Sequence, residues 1–295
     1  MRVDRRLLPL LRELGDLKRI RAAGRDGSIA ERLFRHGWAA LARGEAADAV
    51  MQRTVAAALA AVRLGDLDRA KLVELGLTQA QAVTVLARGF DELAFAIDPV
   101  LAATLRPALA EGAPAAGPVP RFVGLLAAQP RAGVTCPGKP RLLLQPAESH
   151  AEHCLMVAIY GVLLAPGYRA DATTVFVAGM AHHLHNAGMP DAGFTGEMLL
   201  GEMLDRVITD ARDRALGELS PGIAATVRAA LAPIGGDTTP EARAFHAADV
   251  IDRVLEIEQH GRMAAMDVVL GDYALVHAGP VKVFHDRVLA EIGLL

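Results

Sequence analysis

Hydrophobic residues recur at intervals of three and four along most of this chain, which is the spacing of amphipathic helices. Ser28 and Glu31 form a capping-box pattern, S-I-A-E, at the start of one predicted helix, and another runs from about Ala46 to Leu64. Ahead of them, residues 4–22 place five leucines on one face: Leu7, Leu10, Leu11, Leu14 and Leu17. The pattern therefore predicts an N-terminal region built from helices.

Residues 66–96 show a helix, a turn at Gly76 and a second helix that Thr78 caps, an order compatible with a helix-turn-helix. A DNA-binding helix needs several basic residues to contact phosphates, but the second helix offers Arg88 alone. Up to Glu111 the chain carries 17 basic and 14 acidic side chains, a mild excess. We therefore interpret the segment as a plain helical hairpin and expect no nucleic-acid partner.

Composition favours an all-α fold. Hydrophobic residues make up 52% and aromatic residues 4% of the chain, and the strong helix formers Ala and Leu dominate. The formal net charge of −3 argues against a protein built to coat nucleic acid, and two cysteines are too few for a disulfide framework. The N-terminal sequence alternates charge with leucine, unlike a signal peptide, and no apolar run has the length of a membrane span. We expect a cytoplasmic protein with no membrane partner.

Irregular sequence rich in Pro, Ala and Gly separates two helical parts of the chain. It begins near Ala108 and continues almost to Pro146. The predicted organisation is an N-terminal helical region, an irregular linker and a second helical unit, which cover residues 1–110, 111–145 and 146–295.

Three of the ten histidines, His182, His183 and His185, fall within four residues and are followed by Asn186. They end the sequence VFVAGMAHHLHN, whose apolar start is typical of a buried helix. Buried imidazoles are costly unless each finds a partner, and a metal ion suits several neutral imidazoles at once. Alternatively, the cluster lies at a solvated helix end, where histidine complements the helix dipole. This stretch alone leaves both interpretations open.

Two other predicted helices carry candidate groups. His150 and His153, spaced i, i+3, open the mostly apolar helix that follows Glu148 and can lie on one face. A late helix, EARAFHAADVIDRVLEIEQH, has a polar side whose ordinary explanation is a solvated surface with i, i+4 ion pairs. That side comprises Asp249, Asp252, Arg253, Glu256 and His260.

The phrases A-E-H-C-L-M-V-A at 151–158 and H-A-A-D-V-I-D at 246–252 enclose the histidine cluster. Together they resemble the HD-domain superfamily of metal-dependent phosphohydrolases, over roughly residues 145–260. In that family a helical bundle holds one His, a His-Asp dyad and a distant Asp on a divalent metal. The resemblance implies an HD-like helical bundle with His153 as the first ligand and Asp249 as the last. The N-terminal region shares no identified feature with the family.

The dyad departs from the family pattern. Aligning the lead-in G-M-A gives His182-His183, with His183 in place of the family Asp. Aligning L-H-N-A-G-M-P with the family's L-H-D-I-G-K-P gives His185-Asn186 instead. We prefer the first, because the second puts His182 and His183 where the family has buried aliphatic residues. Either alignment removes the dyad carboxylate.

The resemblance also implies the chemistry of the site. The metal ligands would be His153, His182, His183 and Asp249. Three imidazoles and one carboxylate favour a single Fe, Mn, Co, Ni or Zn ion over Mg, which prefers oxygen ligands. Groups placed to orient water or protonate a leaving group are His150, His185 and Asn186. Candidate phosphate contacts are Arg253 and Lys282, for which a solvated surface position is the ordinary alternative.

Three functions follow from this site: a phosphoester hydrolase, a non-catalytic sensor or scaffold with an altered site, and an iron oxygenase. Oxygenases of the superfamily need extra histidines between the dyad and the last Asp, but the sequence has none between His185 and His246. The hydrolase is preferred, because the site has more polar groups than an inactive one needs. We expect a small phosphorylated substrate, such as a nucleotide, and leave a homo-oligomer open.

Overall fold

The computed structural model of the protein describes residues 4–260 and 280–294. Within these residues the chain forms helices joined by turns and short 3₁₀ segments, with three isolated bridges and no strand. The predicted all-α fold is confirmed. The helices are α1 (Leu8–Gly15), α2 (Ile29–Ala42), α3 (Ala47–Leu64), α4 (Arg69–Glu74), α5 (Gln79–Asp91), α6 (Pro99–Leu105), α7 (Arg121–Ala128), α8 (His150–Tyr168), α9 (Ala172–Ala181), α10 (Gly193–Leu200), α11 (Leu204–Leu216), α12 (Pro221–Leu231), α13 (Pro240–His260) and α14 (Lys282–Ile292).

Helix α8 lies at the centre of the fold and packs against α2, α9 and α13. Nearly all of its side chains are buried. By length and composition α8 is apolar enough to cross a membrane, but 89% of that apolar window is buried inside the protein. A core helix passes the same test, because burial on every face requires apolar residues on every face.

Glycines let α8 and α9 approach closely. A Cβ atom at Gly179 of α9 would lie 2.5 Å from the Cα atom of Ala158 in α8. A Cβ atom at Gly161 of α8 would overlap the side chain of Val175 in α9. This close crossing fixes the C-terminal end of α9 against the first half of α8.

One hydrophobic core joins the parts that the sequence separates. A single cluster of buried apolar side chains extends from Leu7 to Leu294. The predicted linker, 111–145, contains α7, and Phe122 of α7 packs edge-on against Trp38 of α2 with ring centroids 4.9 Å apart. The linker is therefore not wholly irregular, since its apolar residues form a helix that closes the core beside the N-terminal helices.

The close crossing of α8 and α9 leads to a stability prediction. Gly179→Ala should destabilise the protein by about 1–3 kcal/mol, because the added methyl meets backbone atoms that have no room to move. Gly124→Ala in α7 is the matched control: no atom lies within 4 Å of its added Cβ. This control should be neutral or stabilising by up to about 1 kcal/mol, since Ala is the better helix former. Urea unfolding would measure both, and equal effects would contradict the packing argument.

Candidate metal centre

Three helices bring the candidate side chains together. Helix α8 starts behind a capping box in which the Ser149 hydroxyl accepts from the Glu152 backbone and the Glu152 carboxylate accepts from the Ser149 backbone. Helix α9 ends at Ala181, and the chain continues through a 3₁₀ segment, Leu184–Ala187. Because α9 and α13 both pack on α8, the first turn of α8, the end of α9 and the middle of α13 meet in the interior.

His153 is fully buried and held from both sides. Its Nδ1 lies 2.7 Å from Asp252 Oδ2, and its Nε2 lies 3.3 Å from Asp249 Oδ1. The short contact with Asp252 places the ring hydrogen on Nδ1, since an ionised carboxylate only accepts. His153 then directs the lone pair of Nε2 toward Asp249 and the end of α9.

His182 and His183 have the same tautomer as His153, fixed by different partners. Nδ1 of His182 donates to the carbonyl oxygen of Gly179 at 2.8 Å, and Nδ1 of His183 donates to Asn186 Oδ1 at 2.7 Å. The Asn186 amide is itself oriented, because its Nδ2 donates to the Met189 carbonyl. Both rings therefore present an unprotonated Nε2, and that of His183 is buried with no hydrogen bond to any described residue.

The three imidazoles converge in a way that a cation would satisfy. Nε2 of His182 lies 3.1 Å from Nε2 of His153, and one ring nitrogen from each of His153, His182 and His183 lies within 4.8 Å of the others. Burial, reinforced by the neighbouring imidazoles, holds the pKa values of His182 and His183 well below the ordinary value, so these rings are neutral. Metal bonds of 2.0–2.2 Å separate adjacent ligand atoms by about 2.8–3.6 Å, a range that includes the 3.1 Å between Nε2 of His153 and Nε2 of His182. The structure thus contains a histidine group that can hold a metal ion.

Asp249 lies beside His153, with Oδ1 3.3 Å from His153 Nε2, and is shared with Arg253. Arg253 Nη2 lies 2.9 Å from Asp249 Oδ2, and Arg253 Nε donates to Asp249 Oδ1 at 3.2 Å. Burial opposes ionisation of Asp249, but Arg253 and His153 outweigh it and hold the pKa of this carboxyl well below its usual range. Asp249 is therefore an ionised ligand candidate whose orientation Arg253 fixes.

A cavity of about 330 Å³ opens beside the cluster. His183, His185 and Asn186 line one part of its wall, and Arg131 and Arg253 bring positive charge to it. The remaining wall combines apolar side chains, among them Leu143, Leu144, Phe194, Ile208 and Ile257, with four carboxylates, those of Glu148, Asp191, Glu197 and Glu256. Its size and mixed lining suit a small molecule that carries both polar and apolar groups.

His150 lies behind this wall. Its ring centroid is 4.7 Å from that of His183, and its Nε2 is 3.3 Å from Asp191 Oδ2 without hydrogen-bond alignment. Burial lowers the pKa of both His150 and His185 to about 4. Asp191 is anchored by the backbone N–H groups of Ala132 and Gly193.

The structure brings most of the predicted residues to one place. His153, His182 and His183 form the cluster, and Asp249 lies beside His153; His185 and Asn186 border the cavity, and the ring of His150 lies close to that of His183. Arg253 reaches the site through Asp249. Lys282 is not brought there: it pairs with Asp286 on α14 and does not line the cavity.

Sequence reasoning missed Asp252, Arg131 and Asp191. The polar side of α13 was expected to be a solvated face, but Asp252 is fully buried and Glu256 nearly so. The one available signal was the spacing of Asp252 from Asp249, which puts both carboxylates on the same side of a helix. Arg131 and Asp191 lie in irregular segments, where no periodicity marks a functional residue.

Comparisons with protein-family models, with curated proteins and with solved structures gave no match. The HD-domain resemblance therefore rests on the quoted sequence motifs alone.

The buried imidazoles should make the metal-free protein sensitive to acid. His150 and His185 have pKa values of about 4 in the fold and near 6.5 in an unfolded chain, so the unfolded chain binds more protons between these values. Stability should fall as pH decreases through this interval, by up to about 1.4 kcal/mol per pH unit for each ring.

Urea unfolding at several pH values from neutral to about 4 would measure this loss in chelated protein. The double variant His150→Gln/His185→Gln should lose less stability over the same interval. An equally steep loss in the variant and the parent would show that these rings do not cause it.

Proposed function

We propose that this protein is a metal-dependent hydrolase of the HD type that acts on a small phosphoester. One observation carries the proposal: the imidazoles of His153, His182 and His183, the first fully buried and the other two half-buried, each have Nδ1 bound to an acceptor. One ring nitrogen of each lies within 4.8 Å of the others, where the three can share one cation. Such a set of neutral nitrogen ligands beside a single carboxylate, Asp249, suits Fe, Mn, Co, Ni or Zn. An ion held there would supply Lewis acidity to a phosphoryl oxygen and lower the pKa of water.

The chain provides groups for an anionic substrate. Arg131 lines the cavity, its Nη1 lies 3.9 Å from Glu148 Oε1, and this nitrogen makes no hydrogen bond within the described residues. A guanidinium with a spare donor is well suited to a phosphoryl oxygen. In this proposal Arg131 takes the role for which Lys282 was a candidate.

A hydrogen-bonding group for the leaving oxygen is also at hand. His185 lines the cavity, and its Nδ1 is buried with no hydrogen bond to a described residue. We assign to His185 the hydrogen bond to the leaving-group oxygen and to Asn186 the orientation of His183.

A non-catalytic sensor or scaffold is the second candidate, and the contacts of Asp249 favour it. Both oxygens of Asp249 are engaged by Arg253, and His183 stands where the family has a second carboxylate. A site with this reduced negative charge could bind metal or ligand without turnover. Metal binding and hydrolysis therefore need separate tests.

The first test concerns the metal. After chelation, Mn, Fe(II), Co, Ni or Zn should raise the melting temperature by roughly 5–10 °C at a hundredfold excess over the dissociation constant, whereas Mg should not. Asp249→Ala should abolish most of this shift, because it removes the one carboxylate of the proposed set. His260→Ala is the control on the same helix, since His260 bonds to Glu256 rather than to the cluster. Equal melting temperatures with and without every metal would refute the metal site.

The second test concerns hydrolysis. Metal-loaded protein should release phosphate or alcohol from at least one member of a panel of phosphomonoesters, phosphodiesters and nucleotides. Arg131→Met should lower kcat/KM roughly 10- to 100-fold, as expected for a lost hydrogen bond to a charged group. Arg141→Met is the control, because Arg141 is exposed and donates to backbone carbonyls outside the cavity. Metal binding without turnover of any panel member would favour the non-catalytic candidate.

A further inference from the structure

Lys18 is a buried ammonium group close to the candidate metal centre. It ends the short 3₁₀ segment that follows α1, and 3% of its side chain is exposed. Its Nζ lies 2.8 Å from Glu148 Oε2, 3.0 Å from Asp252 Oδ1 and 2.8 Å from Glu256 Oε2. A lysine from the N-terminal region therefore sits among three carboxylates of the C-terminal unit.

The Lys18 ammonium occupies a second cluster of potential metal ligands. Glu148, His153 and Asp252 also place potential ligand atoms within 4.8 Å of one another. Two of the three bind the Lys18 ammonium, so the cation at this position is Lys18. Burial disfavours the charge on Lys18, but the surrounding carboxylates outweigh that effect and hold its pKa well above the ordinary value.

Asp252 divides its two oxygens between Lys18 and His153. Oδ1 accepts from the Lys18 ammonium, and Oδ2 accepts from His153 Nδ1. With the first oxygen held, the carboxylate cannot rotate away from the imidazole. Partners of this kind orient metal-binding histidines and fix their tautomer.

We propose that Lys18 is a positioning residue of the metal centre: by holding Asp252, it sets the orientation and tautomer of His153 and directs Nε2 toward the cluster. Its effect on metal binding rests on the function proposed above, whereas its effect on the His153 ring does not. Without the ammonium, Asp252 would be a buried carboxylate beside Glu148 and Glu256. Repulsion from these two carboxylates would favour rotation of Asp252, and the hydrogen on His153 Nδ1 would lose its acceptor.

The test compares Lys18→Met with Arg32→Met, which breaks another partly buried ion pair of the N-terminal region, that of Arg32 with Asp66. The imidazole nitrogens of chelated, ¹⁵N-labelled full-length protein would be observed by NMR, with His153 identified from its absence in His153→Gln. The parent and Arg32→Met should show the Nδ1–H tautomer at His153. Lys18→Met should show a mixture or the Nε2–H tautomer, and Lys18→Arg should restore much of the parent signal.

Lys18→Met removes the ammonium that Glu148, Asp252 and Glu256 share, so Lys18→Met/Glu256→Gln provides a second variant with a smaller charge imbalance. Zinc affinity would be measured by competition with a chromophoric chelator. It should fall about 10- to 100-fold in Lys18→Met and in Lys18→Met/Glu256→Gln, and stay within about twofold of the parent in Arg32→Met. An unchanged His153 tautomer in Lys18→Met and in Lys18→Met/Glu256→Gln would overturn the inference. Absence of zinc binding by the parent would instead refute the proposed function, and the NMR comparison would still decide the role of Lys18.

Discussion

The arrangement of the site depends on the complete burial of α8. A helix packed on every face has no solvated side for polar groups, so the histidines of its first turn must find partners inside the protein. His153 obtains Asp252 from α13 for its Nδ1, and the rings of His182 and His183 obtain acceptors at the end of α9. After these bonds form, Nε2 of His153 and Nε2 of His182 remain 3.1 Å apart, and a shared cation would relieve the repulsion between their lone pairs. The metal hypothesis follows from these closely spaced, unprotonated imidazole nitrogens.

The features predicted well from the sequence are local ones. The starts of α2 and α5 follow from Ser28 and Thr78, whose hydroxyls accept from the backbone N–H groups of Glu31 and Gln81, because such a cap needs only residues three apart. Helical periodicity likewise predicted the all-α fold. The sequence also indicated histidines that could hold a metal ion, and His153, His182 and His183 form such a group, although the spacing of the histidines alone had left a solvated helix end equally acceptable.

Long-range features could not be predicted in this way. Lys18 lies in a leucine-rich amphipathic segment, where a lysine ordinarily belongs to the solvated face. The polar side of α13 looked solvated for the same reason. In the structure the two surfaces cover each other: Lys18 and Arg19 both bind Glu256, and Lys18 also binds Asp252. Each surface, taken alone, has the composition of one that faces water, and only their pairing buries them.

One hydrogen bond links the two halves of the chain in addition to the shared hydrophobic core and the Lys18 ion pairs. The Ser28 hydroxyl, which caps α2, donates at 2.6 Å to Glu152, the capping-box glutamate of α8. The starts of both helices therefore depend on one serine–glutamate contact, a few residues from His153. Local opening of α2 would release the start of α8 together with the imidazoles it carries. Slow amide hydrogen exchange in α2 and in the first turn of α8 would then share one opening event, and a ligand bound at the cluster would protect amides far away in the N-terminal region.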